Sequence, residues 1–347
     1  MPDLILHDSS LRDGNHAVKH QLSAGQIRSY CHAADAAGLP VVEVGHGNGL
    51  GASSLQVGLC RLTDREMLET ARAALLRSRL AVHVMPGFAT VKADIAPAVA
   101  LGVDVFRVGC HCTEADTTQR HIDAIRSCSR QAIGALMMCH MADKEVLAEE
   151  AYKLQSYGAE AVMLYDSAGA FLPGDVTEKV GYLVARLDIP VGFHGHNNLG
   201  LGVANALAAA AAGAGILDGS ARGFGAGAGN VQIEVLAAVL SRLGYETGVD
   251  LYGVLDLGEL AEREIIGELP RIGSLGVVSG LAGVFSGFAK HVERLAAAYA
   301  VDPRDVFFEL GRRKVVAGQE DLILEVAAGL AARCHRDDRE ATCPTTP

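Results

Sequence analysis

Leu4-Ile5-Leu6-His7-Asp8-Ser9-Ser10-Leu11-Arg12-Asp13-Gly14-Asn15-His16 begins as a short apolar run and ends as a polar loop rich in ionisable side chains. A run this short suits a buried strand better than a helix. The unit recurs at intervals of very roughly 30 residues, the spacing of a (β/α)8 chain. The apolar runs are Leu4–His7, Val41–Val44, Leu80–Met85, Val103–Val108, Ile133–Met138, Ala161–Tyr165, Val191–His194 and Gly215–Leu217. Helix-like stretches lie between them. Ser23 with Gln26 and Thr63 with Glu66 match the capping box, and Thr113 with Asp116 is a weaker version. Eight alternating units predict an α/β protein with a closed parallel sheet, a TIM barrel; an open doubly wound sheet is the alternative.

The pattern changes near residue 245. Residues 250–266 and 290–335 read as helices without strands, and Asp302-Pro303 is a helix start. The sequence therefore predicts a barrel over 1–245, a small C-terminal helical region over 246–335, and a flexible tail over 336–347.

Composition excludes several function classes. Lys plus Arg number 30 against 41 Asp plus Glu, a net charge of −11, which disfavours nucleic acid and anionic lipid as partners. Of 347 residues, 40 are Gly and none is Trp, which suggests close backbone approaches rather than a stacking platform. The uncharged stretches 189–217 and 272–289 carry His, Asn, Ser and Gly unsuited to a membrane span. Eight scattered cysteines fit reduced thiols, and with no secretory pattern at the N-terminus the expected location is cytoplasmic.

In a barrel, reactive groups sit where strands end. His194 and His196, at i and i+2 on the seventh strand, point to the same side and suit one metal ion. Asp13, on the first loop, is the best third ligand. Such a set accepts Zn, Mn, Co or Mg, with carboxylate and water favouring Mn or Mg. Adjacent loop residues usually diverge, so Asp13 takes the metal while Arg12 faces the substrate, placed to stabilise enolate charge. His16 has an ordinary pKa suited to proton transfer. The glycine run 223–229 lacks the Lys of a P-loop and reads as a backbone wall.

Leu11-Arg12-Asp13-Gly14 and His194-Gly195-His196-Asn197-Asn198 resemble the metal-dependent barrels of pyruvate aldolases, isopropylmalate synthases and 3-hydroxy-3-methylglutaryl-CoA lyases. More narrowly, His46-Gly47-Asn48-Gly49-Leu50, His111-Cys112-Thr113-Glu114-Ala115-Asp116, Asp166-Ser167-Ala168-Gly169-Ala170, Gly225–Asn230 and Gly318-Gln319-Glu320-Asp321 resemble the 4-hydroxy-2-oxovalerate aldolases. The resemblance implies a lyase that cleaves a 4-hydroxy-2-oxo acid, such as 4-hydroxy-2-oxopentanoate, to pyruvate and acetaldehyde. It implies Asp13, His194 and His196 as ligands of a divalent metal, usually Mn2+, with Mg2+ and Co2+ as alternatives. Arg12 would stabilise the enolate, Ser167 would help hold the substrate carboxylate, and His16 would remove the C4 hydroxyl proton. It further implies an oligomer, an acylating acetaldehyde dehydrogenase as partner, and a place in aromatic-hydrocarbon catabolism.

Some residues depart from the family. Phe285 replaces a Tyr that reaches the substrate in the family, so a hydroxyl is missing and His16 is expected to act through water. Asn48, Val57, Met85, Phe88 and Arg222 also differ, which points to a changed aldehyde side and leaves a biosynthetic setting open. The competing readings are a Claisen-type synthase, a CoA-ester lyase and a metal-dependent hydrolase. A subunit that has lost turnover is the non-catalytic alternative. The glycine loop lacks the Cys of a CoA-ester lyase.

Overall fold

A computed structural model describes residues 4–316 and 319–341. Its eight strands are β1 (Ile5–Leu11), β2 (Val41–Val44), β3 (Arg79–Val84), β4 (Val105–His111), β5 (Gln131–Met137), β6 (Ala161–Asp166), β7 (Val191–Gly195) and β8 (Ile216–Gly219). All pair in parallel in sequence order, and β8 returns to β1 to close the predicted barrel. The helices that follow the strands are α1 (Ala24–Ala36), α2 (Asp64–Ala74), α3 (Ala96–Ala100), α4 (Gln119–Ser127), α5 (Lys144–Ser156), α6 (Pro173–Val184), α7 (Gly202–Ala211) and α8 (Ile233–Arg242). Both capping boxes form: Ser23 and Thr63 accept from the backbone amides of Gln26 and Glu66, whose side chains return the bond. Thr113 caps nothing. Its hydroxyl meets His111 Nδ1 at 2.8 Å instead, and a 3-10 turn starts at Ala115 without a side-chain cap.

Period-two alternation divides each strand between two surroundings. Leu80, Val82, Phe106, Val162 and Leu217 face the helices in the main core. Val41, Ala81, Val105, Ile133, Ala161 and Ile216 fill the lumen. The next inward positions, two residues toward the strand ends, include Glu43, His83, Arg107 and Asp218, all buried. A polar layer thus lies directly beneath the mouth. β1 also runs past the apolar residues that announce it. Asp8, Ser9 and Ser10 stay in the strand because partners satisfy them: Ser9 Oγ donates to the Gly219 carbonyl (3.1 Å), and Asp8 accepts from Ser10 and Tyr30.

The C-terminal region comprises α9 (Leu251–Glu264), α10 (Ser274–Ala282), α11 (Ala289–Tyr299), α12 (Pro303–Arg312) and α13 (Asp321–Ala341). Asp302 caps α12 with Pro303 at its first turn, as the sequence predicts. Helix α9 packs on α1 and gives Val254, Leu257 and Ala261 to the main core, so the barrel core reaches past residue 245. A separate core begins at Val284 and includes Phe288, Val292, Phe307, Leu310, Ile323 and Val326. The stretch expected as a tail from 336 is helical as far as Ala341, and 342–347 lie outside the described residues. No described helix is long and apolar enough to cross a membrane.

Candidate active site

Asp13 opens a 3-10 turn (Asp13–His16) just after β1, while His194 is the penultimate residue of β7 and His196 lies just beyond its end. One ligand atom from each of Asp13, His194 and His196 lies within 4.8 Å of the others, and all three residues are buried. Asp218 Oδ2 accepts from His194 Nδ1 at 2.9 Å, which orients the ring and leaves Nε2 as the nitrogen available to a ligand. Burial pushes the His196 imidazole down to about 4, so it is neutral at physiological pH. Its Nδ1 is buried with no hydrogen-bond partner. Burial alone would raise the Asp13 carboxyl, but Arg12 and His196 outweigh it and hold it well below the usual range. Two imidazoles and one carboxylate form a donor set that fits a divalent cation.

Asp13 is itself held rigidly. Its Oδ1 accepts from Arg12 Nη1 at 2.8 Å; its Oδ2 accepts from Asn230 Nδ2 at 2.7 Å and the Ala226 amide at 3.2 Å. The glycine run is thus a backbone wall, as expected, and it packs against the carboxylate. A Cβ on Gly225 would stand 2.6 Å from Asp13 Oδ2 and would also collide with the Asn230 amide.

Arg12 and Asp13 do not diverge, contrary to the sequence expectation. The guanidinium folds back onto its neighbour because Glu43 Oε2 takes Arg12 Nε at 2.7 Å and fixes its plane. Arg12 Nη2 is buried and has no partner. An unsatisfied guanidinium donor beside a metal ligand set is costly unless a bound oxygen completes it.

His16 lies partly buried near this group and is hydrogen-bonded to the Gly47 carbonyl. Burial lowers its pKa, with Asp13 opposing, so the ring favours the neutral form. His20 and His46 stack beside it, with centroids 3.7 Å apart and planes 6° apart. Both are neutral at physiological pH, since burial brings His20 down to about 3 and His46 to about 4. The His46 ring has no nitrogen to spare: Nδ1 accepts from the Asn48 amide and Nε2 donates to the Gly58 carbonyl.

Ser167 is buried at the end of β6, and its hydroxyl accepts from the Met138 amide at 3.0 Å. Phe285 lies in the second core, its ring edge-on to Phe288 with centroids 6.0 Å apart. Two contacts tie its segment to the mouth. Asn198 Nδ2 donates to Ser286 Oγ (2.7 Å) and His140 Nε2 donates to the Gly283 carbonyl (2.8 Å).

Sequence reading places Glu43 and Asp218 at the strand ends that form the mouth but gives them no role, and it misses Arg107 and Tyr165 as parts of the site. Their signal was present: a charged residue inside an apolar strand, as in Val105-Phe106-Arg107-Val108, demands a buried partner of opposite sign.

The closed barrel belongs to the HMGL-like class of enzymes, whose family model matches residues 3–261. A DmpG-like communication domain model matches residues 270–332, the part that holds the second core. The 4-hydroxy-2-oxovalerate aldolase of Spirochaeta aurantia is 61% identical over 335 residues, covering 96% of this chain and 98% of its own. The protein of the same name from Pectobacterium atrosepticum is 58% identical and covers 95% of this chain and 96% of its own. The chain belongs to the family of 4-hydroxy-2-oxovalerate aldolases and is a lyase. Among solved structures, the carboxyl transferase domain of Rhizobium etli pyruvate carboxylase with pyruvate superposes with a TM-score of 0.80 at 17% identity, covering 96% of this chain and 61% of that one. That likeness concerns the fold alone.

Proposed function

We propose that this chain cleaves a 4-hydroxy-2-oxo acid, such as 4-hydroxy-2-oxopentanoate, to pyruvate and acetaldehyde, with a divalent metal held by Asp13, His194 and His196. The observation that carries this reading is the unpartnered Arg12 Nη2 beside the three ligands. A divalent metal held by these three residues, Mn2+ by preference, would supply Lewis-acid polarisation to the substrate's 2-oxo group. His16 takes the C4 hydroxyl proton while the C3–C4 bond breaks, and C4 leaves as the aldehyde carbonyl. The bond's electron pair passes to the 2-oxo oxygen, where Arg12 Nη2 donates to the growing negative charge. Protonation at C3 then gives pyruvate. Ser167 contributes to the substrate's carboxylate end. Phe285, packed against Phe288 at the second core, supplies no hydroxyl, so a water carries the proton from His16.

The 270–332 region is the docking element for an acylating acetaldehyde dehydrogenase, consistent with the communication-domain match. The working assembly is an oligomer in the cytoplasm. Aromatic catabolism is its setting if acetaldehyde is the product, and a biosynthetic route if the aldehyde differs.

Incubation with 4-hydroxy-2-oxopentanoate and Mn2+ is expected to release pyruvate, detected through a coupled lactate dehydrogenase. Absence of pyruvate from every 4-hydroxy-2-oxo acid tried overturns the assignment. Gly225→Ala gives a second, local check. The added methyl displaces Asp13 or Asn230, and disturbing the support of a metal ligand typically weakens metal affinity by about 10–100-fold. A Mn2+ titration of the folded variant measures it, and wild-type affinity would contradict the proposed ligand geometry.

A further inference from the structure

Arg107 is fully buried near the middle of β4 and faces the lumen, on the strand opposite β8 in the closed order. Its Nη1 donates to Glu43 Oε2 at 3.2 Å, and its Nη2 bonds to both Asp218 Oδ2 and the Tyr165 hydroxyl. Each carboxylate offers the active site the same oxygen that it offers Arg107. Asp218 Oδ2 also accepts from His194 Nδ1, and Glu43 Oε2 also accepts from Arg12 Nε. The other two oxygens, Asp218 Oδ1 and Glu43 Oε1, are buried without a hydrogen-bond partner and lie 3.9 Å from His7 Nδ1 and His83 Nδ1 respectively. Among the described residues, Arg107 is therefore the group that joins these two carboxylates.

We infer that Arg107 is a positioning residue that sets the spacing between the metal ligand His194 and the substrate-facing Arg12. A planar guanidinium holds two carboxylate oxygens at a fixed separation, whereas an ammonium supplies charge without that fork. The His194 imidazole hangs from one end of this brace and the Arg12 guanidinium from the other. Tyr165 steadies the middle: its ring stacks on His194 with centroids 4.5 Å apart while its hydroxyl meets Arg107. Charge balance alone would make Arg107 a structural residue, replaceable by Lys. The shared oxygens make its geometry matter to both halves of the site. The inference rests on the proposed role of Asp13, His194 and His196 as ligands.

The test compares wild type, R107K, Y165F and D13N by Mn2+ titration, by the visible spectrum of the Co2+-loaded protein, and by kcat and KM. R107K keeps the buried charge, and the expected result is about 10–100-fold weaker Mn2+ binding, an altered Co2+ spectrum, and a kcat loss larger than the change in KM. Wild-type Mn2+ affinity, spectrum and kcat in folded R107K overturn the inference. Should R107K be recovered unfolded, Y165F decides. Phe keeps the ring on His194 and removes only the hydroxyl on Arg107, so an altered Co2+ spectrum and a several-fold fall in both Mn2+ affinity and kcat are expected, and no change in any of them overturns the inference. A wild type that binds no divalent metal, or a D13N that binds it fully, refutes the ligand reading itself. Unchanged Arg107 and Tyr165 variants beside a metal-binding wild type refute only the positioning role.

Discussion

Asp13→Asn is expected to reduce turnover by about a thousandfold, and Mn2+ affinity with it. The substitution keeps the shape of the side chain and removes its charge, so the loss separates metal binding from packing. A carboxylate ligand and the cation it holds contribute several kcal/mol to stabilising transition-state charge, and about 4 kcal/mol corresponds to three powers of ten. The surroundings sharpen the effect. Both oxygens of Asp13 accept hydrogen bonds, one from Arg12 and the other from Asn230 and Ala226. An amide has one acceptor oxygen, so whichever way Asn turns, a buried donor loses its partner at a cost of about 1–3 kcal/mol. Circular dichroism and thermal unfolding are expected to report a folded barrel, because Asp13 belongs to a turn at the mouth and not to either apolar core. A folded Asp13→Asn protein with wild-type pyruvate release would remove Asp13 from the chemistry.

The barrel was legible because its signal is physical and redundant: each strand leaves an apolar run of three to six residues, and all eight recur in the structure, seven of them with shifted ends. The ends were less legible because polar residues inside strands read as loop. Asp8, Ser9 and Ser10 are strand residues only by virtue of Gly219 and Tyr30, partners far away in sequence. Helix α9 was assigned to the C-terminal region for a similar reason. A helical apolar period gives the buried face but not the neighbour that covers it, and here the neighbour is α1. At the site, the meeting of Asp13, His194 and His196 was legible from strand parity and loop position. The brace below it was not. Glu43, Arg107 and Asp218 sit on three different strands, and only closure of the barrel brings two acids onto one base. The Arg12–Asp13 contact was misjudged because local divergence is the default in a loop, and a tertiary bond to Glu43 reverses it.

Arg12→Lys is expected to divide catalysis from metal binding. Lysine keeps a positive charge beside Asp13, so Mn2+ affinity should change less than about tenfold, below the loss of about 10–100-fold that follows when the support of a ligand is disturbed. Turnover is expected to fall by about 10²–10³, the usual consequence of removing one donor aimed at developing negative charge. The geometry explains why a single ammonium does not substitute. Arg12 spends Nε on Glu43 and Nη1 on Asp13 and keeps Nη2 without a partner. A lysine placed to hold Glu43 and Asp13 has no rigid third direction left for the substrate oxygen. Binding of oxalate, a stable mimic of the planar enolate, should weaken in parallel with kcat, whereas KM for the substrate should move less, because the donor acts on charge that appears only as the C3–C4 bond breaks. If Arg12→Lys turns over at the wild-type rate and binds oxalate as tightly, the unpartnered Nη2 is not an oxyanion donor and the enolate must be stabilised elsewhere.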